Sequence, residues 1–286
     1  VLVDALVELG RYDDAGRALQ EMVDRRPDLA AYARVSYFRE LHGDLDGAVR
    51  AMQAAVSAGG DVPENEAYVR SLLGALELQR GQVDAAARSY RAALQAVPAY
   101  VPAEAGLAKV DVARGSLGRA IRRLRGVVAR LPLPEHVVAL AEGEQAAGRA
   151  TASRRDLDLA RAEQRLLTRS GVNTDVETAI FEADHGAPAR AVELARRAWK
   201  AAPSVRSADA LGWALTRSGR AREALPWAAR ALRLGSKDPA FNLHAGLAAR
   251  AAGERALASR RLAVARAGRA ALTAGAQQQL RAEAAR

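Results

Sequence analysis

The side chains able to do chemistry in this chain are four histidines, scattered carboxylates and an excess of arginine, and their spacing sorts them toward binding rather than catalysis. The histidines are His42, His136, His185 and His244. None opens an HExxH run or meets a second histidine at ligand spacing, so no metal site is expected. His42 and His185 each stand directly before a glycine at a helix end, where a partly protonated imidazole complements the helix dipole. Glu142 and Glu144, like Asp156 and Asp158, lie two apart on helical stretches and diverge, which disqualifies them as acid–base pairs. The glycines fit neither a phosphate loop nor a dinucleotide fingerprint, and no cofactor is expected. The chain has no cysteine, which excludes disulfides and thiolate metal ligands and leaves the redox compartment undecided. The expectation is a protein that is not an enzyme.

The elements that must position any binding group announce themselves through glycine. Gly10, Gly43, Gly81, Gly115, Gly148, Gly186, Gly219 and Gly253 follow one another at gaps of 33, 38, 34, 33, 38, 33 and 34 residues. Five residues past each glycine stands alanine, at Ala15, Ala48, Ala86, Ala120, Ala191, Ala224 and Ala258, with Ser153 as the departure. Apolar residues recur nine and twelve past it, as in Leu19 and Met22 or Tyr90 and Ala93. Steps of four and three are helical, so one face of a helix is apolar. Pro27, Pro98, Pro132 and Pro203 come seventeen past, where a missing N–H and fixed φ end the helix. Small residues precede the glycine by seven, among them Ser36, Gly74, Ala108, Ala141, Gly212 and Gly246, so two helices are expected to touch there.

Each unit therefore reads as helix, tight turn, helix, with the glycine supplying a positive φ at the turn. The pattern resembles the tetratricopeptide repeat, a unit of about 34 residues. It is best matched from Ala67 to Pro98, through Leu73, Gly74, Gly81, Ala86, Tyr90, Ala93 and Pro98. The resemblance implies an all-α, right-handed superhelical solenoid of about eight units plus a C-terminal capping helix. Residues 1–286 are expected to form a single solenoid domain, the first repeat being truncated at its N-terminus and 271–286 forming the cap. Arginine and alanine richness likens the chain to long bacterial arrays from high-GC genomes. The two 38-residue gaps imply extra residues near Pro63 to Glu66 and Thr168 to Gly171, where the register is loosest. Val1 opens inside an incomplete repeat, so the chain is read as a piece of a longer or processed protein, with its compartment undetermined. No run of about 20 apolar residues is present, so no membrane span is expected.

Two surfaces then carry the binding expectations. A net charge of +10 predicts attraction to anionic partners. Arg17, Arg50, Arg88, Arg122, Arg155 and Arg260 stand seven past their glycines and would form a ladder on the outer side of the second helices. Its ordinary meaning is a solvated helix face. Its functional meaning would be weak, sequence-indifferent contact with nucleic acid, lipid headgroups or another anionic polymer, and the lack of interleaved aromatics ranks nucleic acid below protein. The resemblance places the second surface in a concave groove lined by first helices. The groove is expected to bind ligand in its C-terminal half, through Arg206, Asp209, Trp213, His244 and Arg250. An N-terminal set of Arg34, Tyr37, Tyr68 and Lys109 is the next candidate. Trp213 is either an exposed anchor or a wedge against the neighbouring helix. The lysine, asparagine and arginine clamp with which some relatives hold a C-terminal carboxylate is missing. The resulting expectation is a non-enzymatic scaffold or adaptor for a protein or peptide of unknown identity. The alternative is a sensor or regulatory domain of a larger protein whose missing part carries DNA-binding or catalytic activity.

Overall fold

The computed structural model describes residues 1–60 and 62–284; residues 285 and 286, the last two of the expected cap, lie outside it. Helices pair about the repeat glycines. Gly10 separates α1 (Leu2–Glu8) from α2 (Tyr12–Arg25), and Gly43 separates α3 (Leu29–Leu41) from α4 (Leu45–Ser57). Gly81 lies between α5 (Pro63–Gln79) and α6 (Val83–Ala96), and Gly115 between α7 (Val101–Ala113) and α8 (Leu117–Arg130). Gly148 joins α9 (Pro134–Ala146) to α10 (Ala150–Arg169), and Gly186 joins α11 (Asp175–His185) to α12 (Pro188–Ala201). The array continues with α13 (Val205–Arg217), α14 (Ala221–Ala231), α15 (Pro239–Ala252) and α16 (Arg255–Ala267), and a 3₁₀ turn at Arg269–Ala271 leads to α17 (Ala274–Ala284). Among the described residues there is no strand, as an all-α repeat requires.

The local signals act where the sequence puts them. Pro27, Pro98, Pro132 and Pro203 each stand two residues beyond the end of a second helix. Seven of the eight repeat glycines have φ between 72° and 89°. Gly186 is the exception: its φ is −137°, and the turn is closed instead by Glu182, whose Oε2 accepts from the Ala187 N–H at 3.0 Å. The extra residues lengthen helices rather than loops, since α5 runs 17 residues and α10 runs 20.

Small residues seven before the glycine sit at helix crossings, as expected. The Tyr90 ring, 3 % exposed, fills the space left by two glycines. A Cβ on Gly74 would stand 2.8 Å from its Cζ, and one on Gly106 would stand 2.2 Å from its Cε1. Gly246 is held in the same way against Leu262. At Ser36 the hydroxyl donates to the Ala48 carbonyl at 2.8 Å, so that crossing is also a hydrogen bond.

The described chain clusters into two compact units, Val1–Ala48 with Asn173–Arg266, and Val49–Val172 with Ala267–Arg286. In unit 1 the N-terminal helices meet α13 and α15: Leu6, Val7, Tyr12, Leu41 and Val205 form one apolar cluster, flanked by Phe38 and Phe241. In unit 2 the core is built on Tyr90, Leu78, Leu107 and Val110, and includes Ala270 from the C-terminal segment. The helix expected to cap the last repeat packs on α9. No helix among the described residues is long and apolar enough to cross a membrane.

Candidate functional site

In unit 1, α13 begins with a reciprocal cap: the Ser204 hydroxyl accepts from the Ser207 N–H, and Ser207 Oγ accepts from the Ser204 N–H at 3.1 Å. This start sets the phase of a stripe at helical spacing, Arg206, Asp209, Trp213 and Arg217. Trp213 lies flat on the His244 imidazole of α15, with ring centroids 4.4 Å apart and planes 10° off parallel. Its indole N–H donates to Asp184 Oδ1 of α11 at 3.1 Å. His244 Nδ1 donates to Asp209 Oδ2 at 2.9 Å. The Arg217 guanidinium stands 5.5 Å from the indole centroid, and its Nε donates to the Ala183 carbonyl at 3.0 Å. Three successive first helices are thereby tied through one polar cluster.

Burial decides what this cluster can do. Trp213 is 2 % exposed and Asp209 3 %, so the indole is a wedge between helices and presents no face to a ligand. That corrects the expectation of an accessible anchor, because a hot spot needs a ring that a partner can cover. Burial alone lowers the His244 pKa, but the Asp209 carboxylate, with Asp184 and Asp238 behind it, outweighs burial and the pKa is raised. Asp238 has its own pKa raised by burial, against the N–H groups of Phe241 and Ala240 that it caps at the start of α15.

The accessible residues lie nearer the N-terminal end of α13. The Arg206 side chain is 43 % exposed and spans two carboxylates, Glu177 Oε1 of α11 at 2.8 Å and Glu8 Oε2 of α1 at 3.4 Å. Tyr37 of α3 is 38 % exposed, and its hydroxyl pKa is pushed up to about 12 by burial, with Glu8 adding to the rise and Arg206 opposing it. Arg34 donates to both oxygens of Asp4, at 2.7 to 3.1 Å, and to the Ala30 carbonyl at 3.0 Å. Beneath them Tyr12 accepts from the Val205 N–H at 2.8 Å through its hydroxyl oxygen.

Tyr37 and Arg206, assigned from sequence to two alternative places, thus share one neighbourhood around Glu8. Arg250 is exposed on α15. Tyr68 on α5 and Lys109 on α7 are exposed in unit 2 and do not belong to this group. Glu8, Asp4 and Asp184 carried no local signal, since their partners lie about 30 to 198 residues away. Arg17, Arg50, Arg88, Arg122, Arg155 and Arg260 are all exposed. Arg17 pairs with Asp14, and Arg155 with Asp156 at 3.0 Å. His42, at the end of α3, donates from Nδ1 to the Phe38 carbonyl at 2.8 Å, the capping role its position predicts.

Helix pairs closed at seven of eight turns by left-handed glycines, with small residues at crossings such as Ser36, Gly74 and Gly246, define a helical repeat protein. A family model for the tetratricopeptide repeat matches residues 77–142, from the end of α5 into α9. Over that segment the chain matches the tetratricopeptide-repeat family, a class that commonly mediates protein interactions. No curated protein matches it. Among solved structures, it is similar to the crystal structure of MamA at 15 % identity, over 59 % of this chain and 98 % of that one, with a TM-score of 0.45. A chain of the APC/C hetero-tetramer Cut9–Hcn1 is similar at 17 % identity and a TM-score of 0.49, over 98 % of this chain and 54 % of that one. A tetratricopeptide repeat protein from Parabacteroides merdae is similar at 14 % identity and a TM-score of 0.46, over 93 % and 99 %.

Proposed function

We propose that this chain is a non-enzymatic scaffold that holds a protein or peptide segment, and that the Arg206 neighbourhood of unit 1 is where it does so. The observation that carries the reading is the half-exposed guanidinium held between Glu8 and Glu177, beside the exposed ring of Tyr37. Exposed ion pairs of this kind contribute about 0 to 1 kcal/mol, so a ligand can exchange them at little cost. An incoming carboxylate would take Arg206, an incoming cation would take Glu8 or Glu177, and an apolar side chain would lie on Tyr37. Arg34 stands one turn before Tyr37 on α3. Asp209, Trp213 and His244 support it from inside by fixing α13 against α11 and α15.

The test separates binding from folding. A partner captured with the full chain is titrated against the wild type and against Arg206→Ala, Tyr37→Ala and Arg250→Ala. Loss of about 2 kcal/mol in affinity for Arg206→Ala, at an unchanged melting temperature, is the expected result for an anchor. Normal binding by all three variants moves the site to Tyr68 and Lys109. Nucleic acid ranks below protein: binding through Arg17, Arg50, Arg88, Arg122 and Arg155 would weaken steeply with salt, and glutamine at three of them would flatten that slope.

A further inference from the structure

The C-terminal segment takes up an unusual position within unit 2. The 3₁₀ turn at Arg269–Ala271 packs on α5 and α7, and α17 packs on α9. All three are first helices of their repeats. Ala270, 5 % exposed, enters the apolar cluster of Ala67, Leu78, Tyr90, Leu107 and Val110. Leu272, Ala274, Gln277 and Leu280 are buried after it. The start of α17 is capped from a distance: Glu142 Oε2 of α9 accepts from the Gly275 N–H at 3.0 Å. A Cβ on Gly275 would stand 2.8 Å from Glu142 Cδ, so the cap fits a residue without a side chain.

We propose that the face formed by α5, α7 and α9 is a binding site for a short helix, and that residues 268–284 occupy it as an intramolecular ligand. The ligand class follows from what sits there now: a small apolar residue in the Ala270 position, leucine two residues on, then a helix whose glycine-bearing N-terminus offers an N–H to Glu142. The buried residues of α17 itself are Ala274, Gln277, Leu280 and Glu283, with one large apolar side chain among the four, which makes a weak contact by burial. Covalent tethering compensates, because a short linker presents the segment at millimolar effective concentration. An external helix of this chemistry would therefore have to displace the segment to bind. The proposal stands apart from the Arg206 neighbourhood in unit 1, and neither reading needs the other.

The test uses the full chain and a fluorescein-labelled peptide of residues 266–284. Ala270→Asp puts a charge into the apolar cluster from the tail side, leaving every residue of α5, α7 and α9 unchanged. The expected result is that the Ala270→Asp chain keeps its far-ultraviolet helical signal, loses hydrogen-exchange protection over 274–284, and binds the peptide at least about tenfold more tightly than the wild type does. Adding Glu142→Ala to that chain is expected to weaken the peptide about tenfold. Equal binding by wild type and Ala270→Asp would overturn the proposal, as would an Ala270→Asp chain that stays folded and binds nothing. Loss of the array's helices in Ala270→Asp would overturn it too, since a ligand can leave without melting its receptor.

Discussion

In unit 1 the segment brought in from far along the chain, α1 to α3, packs through the apolar cluster of Leu6, Val7, Leu41 and Val205 and adds long-range polar contacts to it: Tyr12 on the Val205 N–H, and Glu8 on Arg206. In unit 2 the distant segment, the 3₁₀ turn and α17, is held by small apolar residues and one carboxylate cap. The repeat is the same in both. What differs is the chemistry at equivalent positions of the first helices: counted back from the repeat glycine, α13 carries Arg206, Asp209 and Trp213 where α7 carries Pro102, Ala105 and Lys109. A polar closure is specific in geometry and sensitive to charge. An apolar closure of alanines tolerates charge changes around it and fails when volume is added.

The largest expected effect tests the polar side. Trp213→Ala removes a buried indole together with its stacking on His244 and its bond to Asp184, at a cost of about 3 to 5 kcal/mol by urea denaturation. A loss under about 1 kcal/mol would mean that the cluster does not hold α11, α13 and α15 together. Next, in unit 2, Gly106→Ala should cost about 1 to 3 kcal/mol, because the new methyl would stand 2.2 Å from the Tyr90 ring. Tyr90→Leu in the same chain should recover part of the loss by freeing that volume. If it recovers nothing, backbone strain rather than ring overlap is responsible.

The smallest effect is in pH, and it has opposite signs in the two units. His244 of unit 1 has a raised pKa, so its stabilising contribution is complete below the ordinary value of 6.5 and is lost as pH rises through the folded value. His136 of unit 2 has its pKa lowered, chiefly by burial, so its folded form is favoured as pH rises toward 6.5. Melting temperature against pH should therefore fall less steeply on the alkaline side for His244→Gln than for wild type. For His136→Gln it should rise less on the acid side. Identical profiles for wild type and both variants would remove the electrostatic half of the comparison.

Much of the local architecture was legible from individual residues. The alanines five past the repeat glycines, the prolines seventeen past and the small residues seven before mark the helix ends and crossings, and Gly74 and Gly246 do meet large side chains there. Gly186 departs from the positive φ its spacing predicts because a carboxylate, Glu182, does the closing, and a side-chain cap leaves no mark in glycine spacing. The candidate site was legible in part. The spacing singles out Arg206 and Tyr37, but as alternatives, and it leaves Trp213 open between anchor and wedge until burial decides for the wedge.

The sequence by itself determined the helix-turn-helix unit, its period and its apolar faces, because hydrogen bonds four residues apart and a positive φ at glycine are decided within one or two turns of chain. Tertiary structure alone decided that Glu8 reaches Arg206 and that Glu142 caps Gly275, 198 and 133 residues apart. Those meetings join residues that lie far apart in the chain, and no local spacing records which distant groups will come within hydrogen-bond reach.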